Sequence, residues 1–271
     1  MLNKLYSIAA IAAIFSAVAI TPKAMAATFR VSIENLAPTS GNFLTSVWVG
    51  FHNGEFDIYN RGESLEAFPG TENVAEDGDT GPITAQFSAI AAGTVQGTLP
   101  GPSGPIAPGE IASFDFDLDP TDIDSRYFSY ASMIIPSNDA FIANGNPLAH
   151  QIFDDMGNFL GADFTVLGSQ VLDGGTEVND EAEFSTAFLG QATPDTGIDE
   201  NGVVELHPGF VPGGRILSTP RFAEADFTTA GYEVARIKVE KVPEPGTIAA
   251  LIGVGTALMA SKKFRRFGAS A

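Results

Sequence analysis

The chain has 271 residues, with 33 acidic against 14 basic side chains, 21 phenylalanines, three histidines and no cysteine. This is enough apolar material for one substantial core, and the absence of cysteine excludes disulfide stapling. The formal net charge of −19 makes nucleic acid and anionic lipid poor partners.

The first 26 residues, MLNKLYSIAAIAAIFSAVAITPKAMA, hold Lys4, an apolar stretch from Ile8 to Ile20, and small residues at Ala24 and Ala26. That is the three-part pattern of a secretory signal peptide, cut after Ala26. The apolar run of about 13 residues falls short of the ~20 that span a bilayer.

From residue 27 onward, apolar residues recur with period two. In TFRVSIENL, Phe29, Val31 and Ile33 alternate with Arg30, Ser32 and Glu34, which predicts a half-buried strand. The same reading predicts strands in FLTSVWVGFH (43–52), ASFDFDLD (112–119), RYFSYASMIIP (126–136), DFTVLGSQVLD (163–173) and GYEVARIKVEKV (231–242), with Gly, Pro, Asn and Asp clusters between them. RGESLEAF (61–68) allows a short helix. Two stretches rich in Gly, Pro and acid, 67–83 and 189–220, read as long and less ordered loops. Repeated short strands with turn chemistry and hardly any amphipathic helix argue an all-β, antiparallel sandwich or barrel forming one domain over 27–242.

The last segment, 243–271, runs from a Pro-Glu-Pro turn into an apolar stretch, Ile248 to Ala260, and ends in Lys262, Lys263, Arg265 and Arg266. Such a basic cluster stays cytoplasmic. VPEPGT, a short hydrophobic helix and an arginine-rich end, in that order, resemble the PEP-CTERM sorting signal of Gram-negative bacteria. The resemblance implies a membrane-anchored precursor that occupies the inner membrane transiently. It also implies an exosortase-type processing protease and delivery of the body to the cell envelope or the extracellular matrix. A plain tail anchor, a lasting transmembrane helix, is the competing reading. Between 27 and 243 there are 32 acidic and eight basic residues, so the body is more acidic still. That favours solubility and leaves carboxylates available for divalent cations.

Several groups are candidates for chemistry. FDFDLD sets Asp115, Asp117 and Asp119 opposite Phe114, Phe116 and Leu118, the pattern of a strand with one wet face. DPTDIDSRY lacks the glycine and distal glutamate of an EF-hand loop. VLDGGTEVNDEAEF (171–184) brings Asp173, Glu177 and Asp180 together after a strand end, with two glycines for a tight turn, which suits either a hard cation or a hairpin with solvated acids. His52, His150 and His207 lack zinc-helix spacing and read as structural or surface residues. Trp48 reads as core, although an exposed tryptophan can stack on sugar. No nucleophile elbow or phosphate-cradling glycine loop is visible.

SMIIPSNDAFIAN (132–144), followed by VLDGGTEVNDE, resembles the spondin N-terminal domain. Its members carry a Met-Ile-Pro-Ser-Pro-Asp-like corner and an Asp-Ala-Gly-Thr-Asp-like loop. VSIENL, HNGEFDIYNRGE (52–63) and AEDGDTGP (75–82) extend the likeness to bacterial members. The resemblance implies a C2-like β-sandwich and one calcium ion (Ca2+) held by Asp139, Asp173 and Glu177. Asn138, Gly174 and Glu177 depart from the animal pattern, and Asp180 is a further carboxylate within reach. The competing reading of Asp139 is a turn residue that caps its own corner.

Two functions follow as expectations. One is a non-enzymatic, exported protein whose calcium-rigidified loops contact extracellular polymer or a surface protein. The other is a hydrolase of the exopolysaccharide in which Asp173 and Glu177, or another acidic pair, act as acid and nucleophile. Carboxylates that share a cation stay ionised and make poor general acids, which favours the first.

Overall fold

The structure, a computed structural model, describes residues 26–243 apart from 91, 92 and 94. The expected signal peptide before Ala26, and the expected sorting helix and basic tail after Pro243, lie outside these residues. Among the described residues no helix is long and apolar enough to cross a membrane.

Eleven strands are described: β1 (Ala27–Asn35), β2 (Phe43–Leu44), β3 (Val47–His52), β4 (Val95–Leu99), β5 (Ile111–Leu118), β6 (Tyr127–Ile135), β7 (Ala140–Ala143), β8 (Ala162–Leu167), β9 (Leu172–Asp173), β10 (Glu205–Leu206) and β11 (Glu233–Lys241). They form two antiparallel sheets, as the alternation predicts. The smaller has the order β5-β1-β11-β8, and the larger has β10-β9-β7-β6-β3-β4 with β2 pairing β6.

Between the sheets, Phe29, Val31 and Ile33 of β1 meet Val47, Val49 and Phe51 of β3, with Phe116, Phe128, Ile237 and Val239 around them. The outer face of the smaller sheet is wet. Arg30 pairs with Asp115 and Arg236 with Asp163, each at 2.7 Å. One inward and one outward face therefore explain the alternation in β1 and β11. Phe114 shares the inward face of its strand but lies on an edge, half exposed.

The larger sheet is buried on both faces, so β3 is buried throughout and β6 nearly so. Its second face carries a separate apolar layer in which Trp48, Phe56, Val74, Ile83, Phe87 and Phe141 pack together. Trp48 is core, and its Nε1 donates to Gln96 Oε1 at 2.8 Å.

That second layer corrects the reading of 67–83 as loop, because it contains α1 (Pro69–Asp77) and the start of α2 (Gly81–Ala89). The Pro, Gly and acid content that suggests a loop is helix punctuation here. Pro69 and Pro82 stand in the first turns, and Gly78, at φ +66°, closes α1 by donating its N–H to the Val74 carbonyl at 3.0 Å. The helix allowed over 61–68 reduces to one 3-10 turn, Leu65–Ala67.

The strand expected over 163–173 is also corrected. It divides into β8 in the smaller sheet and β9 in the larger, with a 3-10 turn at Gly168–Gln170 between them. Gly168 permits the change of sheet: a Cβ there would lie 1.9 Å from the Phe227 carbonyl oxygen. The 189–220 stretch is irregular, as expected, yet Val204, Phe210 and Ile216 anchor it in the apolar layers.

Phe51→Ala should lower stability by about 3–5 kcal/mol, since it leaves a cavity between the sheets. Arg30→Ala, which removes a solvent-exposed pair, should leave the urea midpoint nearly unchanged. Equilibrium denaturation of both variants checks the assignment of inward and outward faces.

Candidate metal centre

β6 ends at Ile135 and the chain turns through Pro136–Asp139 into β7. Ser137 caps this corner: its Oγ donates to the Ile134 carbonyl at 2.6 Å and accepts the Ala140 N–H at 3.2 Å. Asp139 therefore does not cap its own turn. It points across to the loop after β9, which β7–β9 pairing brings alongside by setting Ala140 opposite Asp173.

Asp139 Oδ2 accepts the N–H groups of Thr176 (3.1 Å) and Glu177 (3.2 Å) and the Thr176 hydroxyl (3.3 Å). Its backbone carbonyl accepts the Gly174 N–H at 3.2 Å. The two glycines of DGGTE serve this approach. Gly174 lies against the Asp139 carboxylate, where a Cβ would sit 3.2 Å from Oδ2, and Gly175 takes φ +65°.

Asp139 is 0% exposed, and its Oδ1 has no hydrogen-bond partner. Burial first, and the Asp173 charge second, push its carboxyl up to about 8.

Asp173 is also buried, but both of its oxygens are held. Oδ1 accepts the Gly175 N–H at 2.9 Å and Oδ2 accepts from Asn179 Nδ2. His207 completes the chain: its Nδ1 accepts the Gly209 N–H (3.0 Å), so its Nε2 carries the proton and donates to Asn179 Oδ1 (3.1 Å). Asn179 is thereby fixed with its amide toward Asp173. Asp173 borders an open cleft of about 400 Å³ that Glu200, Asn179, Val203 and Pro208 help to line.

Glu177, the third expected ligand, is 3% exposed. Its Oε1 accepts the Gly197 N–H at 2.7 Å, while Oε2 is buried without a partner. Its charge acts on Asp139, yet among the described residues Asp139, Asp173 and Glu177 do not form a group of three carboxylates within ligating reach, and the Glu177 carboxylate belongs to another set. Glu76, Glu177 and Asp195 bring one oxygen each to within 4.8 Å of one another. Burial pushes Glu76 and Glu177 up to about 7, and neighbouring carboxylates add to the effect. Asp180, the spare carboxylate of the sequence reading, accepts the Ala182 N–H instead, in a local turn.

Sequence reasoning missed Glu76 and Asp195, because each sits in a stretch read as loop. The available signal was the acidic run Glu76, Asp77 and Asp79, which has no basic residue near it in the sequence; in the structure Glu76 and Asp77 end a helix, where negative charge is disfavoured. The ion pairs found among the described residues involve none of these acids.

The remaining histidines are structural in their contacts. His52 is buried, accepting the Gly54 N–H and donating to Ser129 Oγ at 2.8 Å, and His150 stacks on Phe164 at 3.9 Å. Burial lowers both to about 4.

These shifts set the pH dependence of the chelated protein. The carboxyls of Asp139, Glu76 and Glu177 are raised on folding, so their contribution is complete at low pH and is lost as pH climbs through about 7–8. The histidines are depressed, so theirs is gained on the way up and is complete above 6.5. Between pH 6.5 and 8 only the carboxylates act, and the thermal midpoint in chelator should fall; a flat or rising midpoint would contradict this electrostatic picture. Comparison with family models and with curated proteins finds no match to this chain.

Proposed function

We propose that this is an exported, envelope-sorted, non-enzymatic protein whose β-sandwich is stabilised by one calcium ion at Asp139, Asp173 and Glu177. It would serve in adhesion or interaction at the surface or in the exopolymer matrix. The observation that carries the metal reading is Asp139 Oδ1, a carboxyl oxygen that is buried, lacks any hydrogen-bond partner, and stands beside a second carboxylate. An all-oxygen, multiply anionic set is what a hard cation such as calcium takes. Of the three carboxylates, Asp173 borders an open cleft.

Export, sorting by an exosortase-type protease and a transient stay in the inner membrane rest on the motifs at the two ends of the sequence. Contact with extracellular polymer or a surface protein rests on the resemblance to spondin-type domains. The acidic body disfavours nucleic acid.

The hydrolase reading has less support. An acidic pair that cleaves polysaccharide must meet its substrate, whereas Glu177 is 3% exposed and closed over by Gly197. Asp173 is buried as well.

In protein purified from cells expressing the full chain, calcium should raise the calorimetric midpoint above that in chelator. At a hundredfold excess over Kd the gain is about 2.7 kcal/mol. Asp139→Asn should remove most of that rise and leave the chelated midpoint nearly unchanged, because an amide keeps an acceptor toward the Thr176 and Glu177 N–H groups. Asp173→Asn should remove the rise as well. A midpoint indifferent to calcium in the wild type would reject the reading.

A further inference from the structure

Two features of the loop layer lie beyond the Asp139–Asp173 pair. One is the acidic end of α1. Glu76 and Asp77 occupy its last turn, where the exposed carbonyls already concentrate negative charge, and no basic residue stands in that turn. Asp77 faces the same loop, accepting from Gln191 Nε2 at 3.2 Å and from the Asp195 N–H at 3.4 Å. It thereby holds Asp195 beside Glu76.

The other feature is Glu177 Oε2. Glu177 is 3% exposed, and its Oε1 is turned to the Gly197 N–H, yet Oε2 has no donor. The carboxylate lies so close to Gly197 that a Cβ there would come within 2.3 Å of Oε2. The backbone therefore fixes the group where it stands. A buried carboxyl oxygen with no hydrogen-bond partner leaves its desolvation unmet, and here it belongs to a group that shares a 4.8 Å span with oxygens of Glu76 and Asp195.

We infer that Glu76, Glu177 and Asp195 form a second divalent-cation site, which shares Glu177 with the proposed first site but uses neither Asp139 nor Asp173. Three elements would be joined there: the C-terminal end of α1, the loop after β9, and the 189–220 stretch. The donor set is all oxygen and carries three carboxylates, one of them exposed on an irregular loop. This matches the adaptable coordination of calcium better than the strict octahedron of magnesium. The helix end reinforces the choice, since its carbonyl dipoles favour a cation as much as they disfavour the acids. The inference does not need the first site, because neither Asp139 nor Asp173 belongs to the set.

The test is calcium stoichiometry by equilibrium dialysis, with calcium chloride as the probe and protein purified from cells expressing the full chain. The wild type should bind two ions. Glu76→Gln/Asp195→Asn should bind one, and its midpoint in chelator should equal or exceed that of the wild type, since two like charges have gone. Asp195→Asn alone, a change at an exposed side chain that does not threaten folding, should weaken one of the two ions by about tenfold and leave the other unchanged.

Unchanged stoichiometry and affinity in both variants would overturn the inference. One ion in the wild type, lost in Asp173→Asn and kept in the double variant, would overturn it while leaving the Asp139 site standing. One ion lost only in the double variant would support it and remove the Asp139 site instead.

Discussion

A carboxylate that is wholly buried must find donors, a cation or a proton, and Asp139 finds donors for only one of its oxygens. It stands at the corner between β6 and β7, yet the N–H groups it collects belong to Thr176 and Glu177. One side chain thus fixes the path of the loop that leaves β9. From there the order propagates: Glu200 N–H donates to the Thr176 carbonyl, Val178 N–H to the Ile198 carbonyl, and Gly197 N–H to Glu177. The irregular layer from 174 to 202 is built on an anchor that the sheet provides. The other oxygen of that anchor takes no hydrogen bond.

The two sheets explain why the acids gather where they do. The smaller sheet spends its outer face on water and paired charges, whereas the larger sheet is covered on its second face by α1 and α2. A layer that closes over a sheet brings helix ends to its rim, and the end of α1 meets the loop after β9 at the edge of that apolar layer. Trp48, Phe56 and Phe87 make the layer dry, with ring centroids 4.8–5.4 Å apart. At such a rim, water is scarce enough for burial to dominate the ionisation of Glu76 and Glu177. The same acids on the outer face of the smaller sheet would find arginines and solvent.

Much of the fold was legible because one-sided burial leaves a period of two, as in β1 and β11. β8 and β9 read as one strand because the change of sheet occurs at a glycine, and alternation does not register which sheet a residue joins. The helices were hidden for a related reason: Pro69, Gly78 and Pro82 are the same residues whether they punctuate helices or compose a loop, and only the apolar layer beneath decides. At the site, Asp139, Asp173 and Glu177 were named through resemblance to a family pattern. The structure brings Asp139 against Asp173 by strand pairing and turns Glu177 toward Glu76 and Asp195. That last contact joins residues about a hundred positions apart across two irregular stretches, which no local period reports.

The stretch from 174 to 232 holds only β10 and a 3-10 turn among its regular elements, and irregular chain of that length is rarely self-supporting. Apolar anchors hold part of it: Phe210 and Phe227 sit in the core, and the Arg221 guanidinium lies 4.6 Å from the Phe43 ring centroid and 4.9 Å from that of Phe188. Leu189 packs against the core as well, and in chelator the mutual repulsion of the acidic part makes it the natural first segment to open. On the proposed reading, calcium supplies there the cross-link that a cysteine-free chain cannot make covalently. A module bathed in extracellular calcium needs an affinity of only about 10⁻⁴–10⁻³ M for this purpose. The same layer exposes Phe184, Phe188, Ile198 and Val211, so the ion would order the very surface that offers apolar contact. Any partner that recognises the ordered form must then tighten calcium by the same factor that calcium tightens the partner.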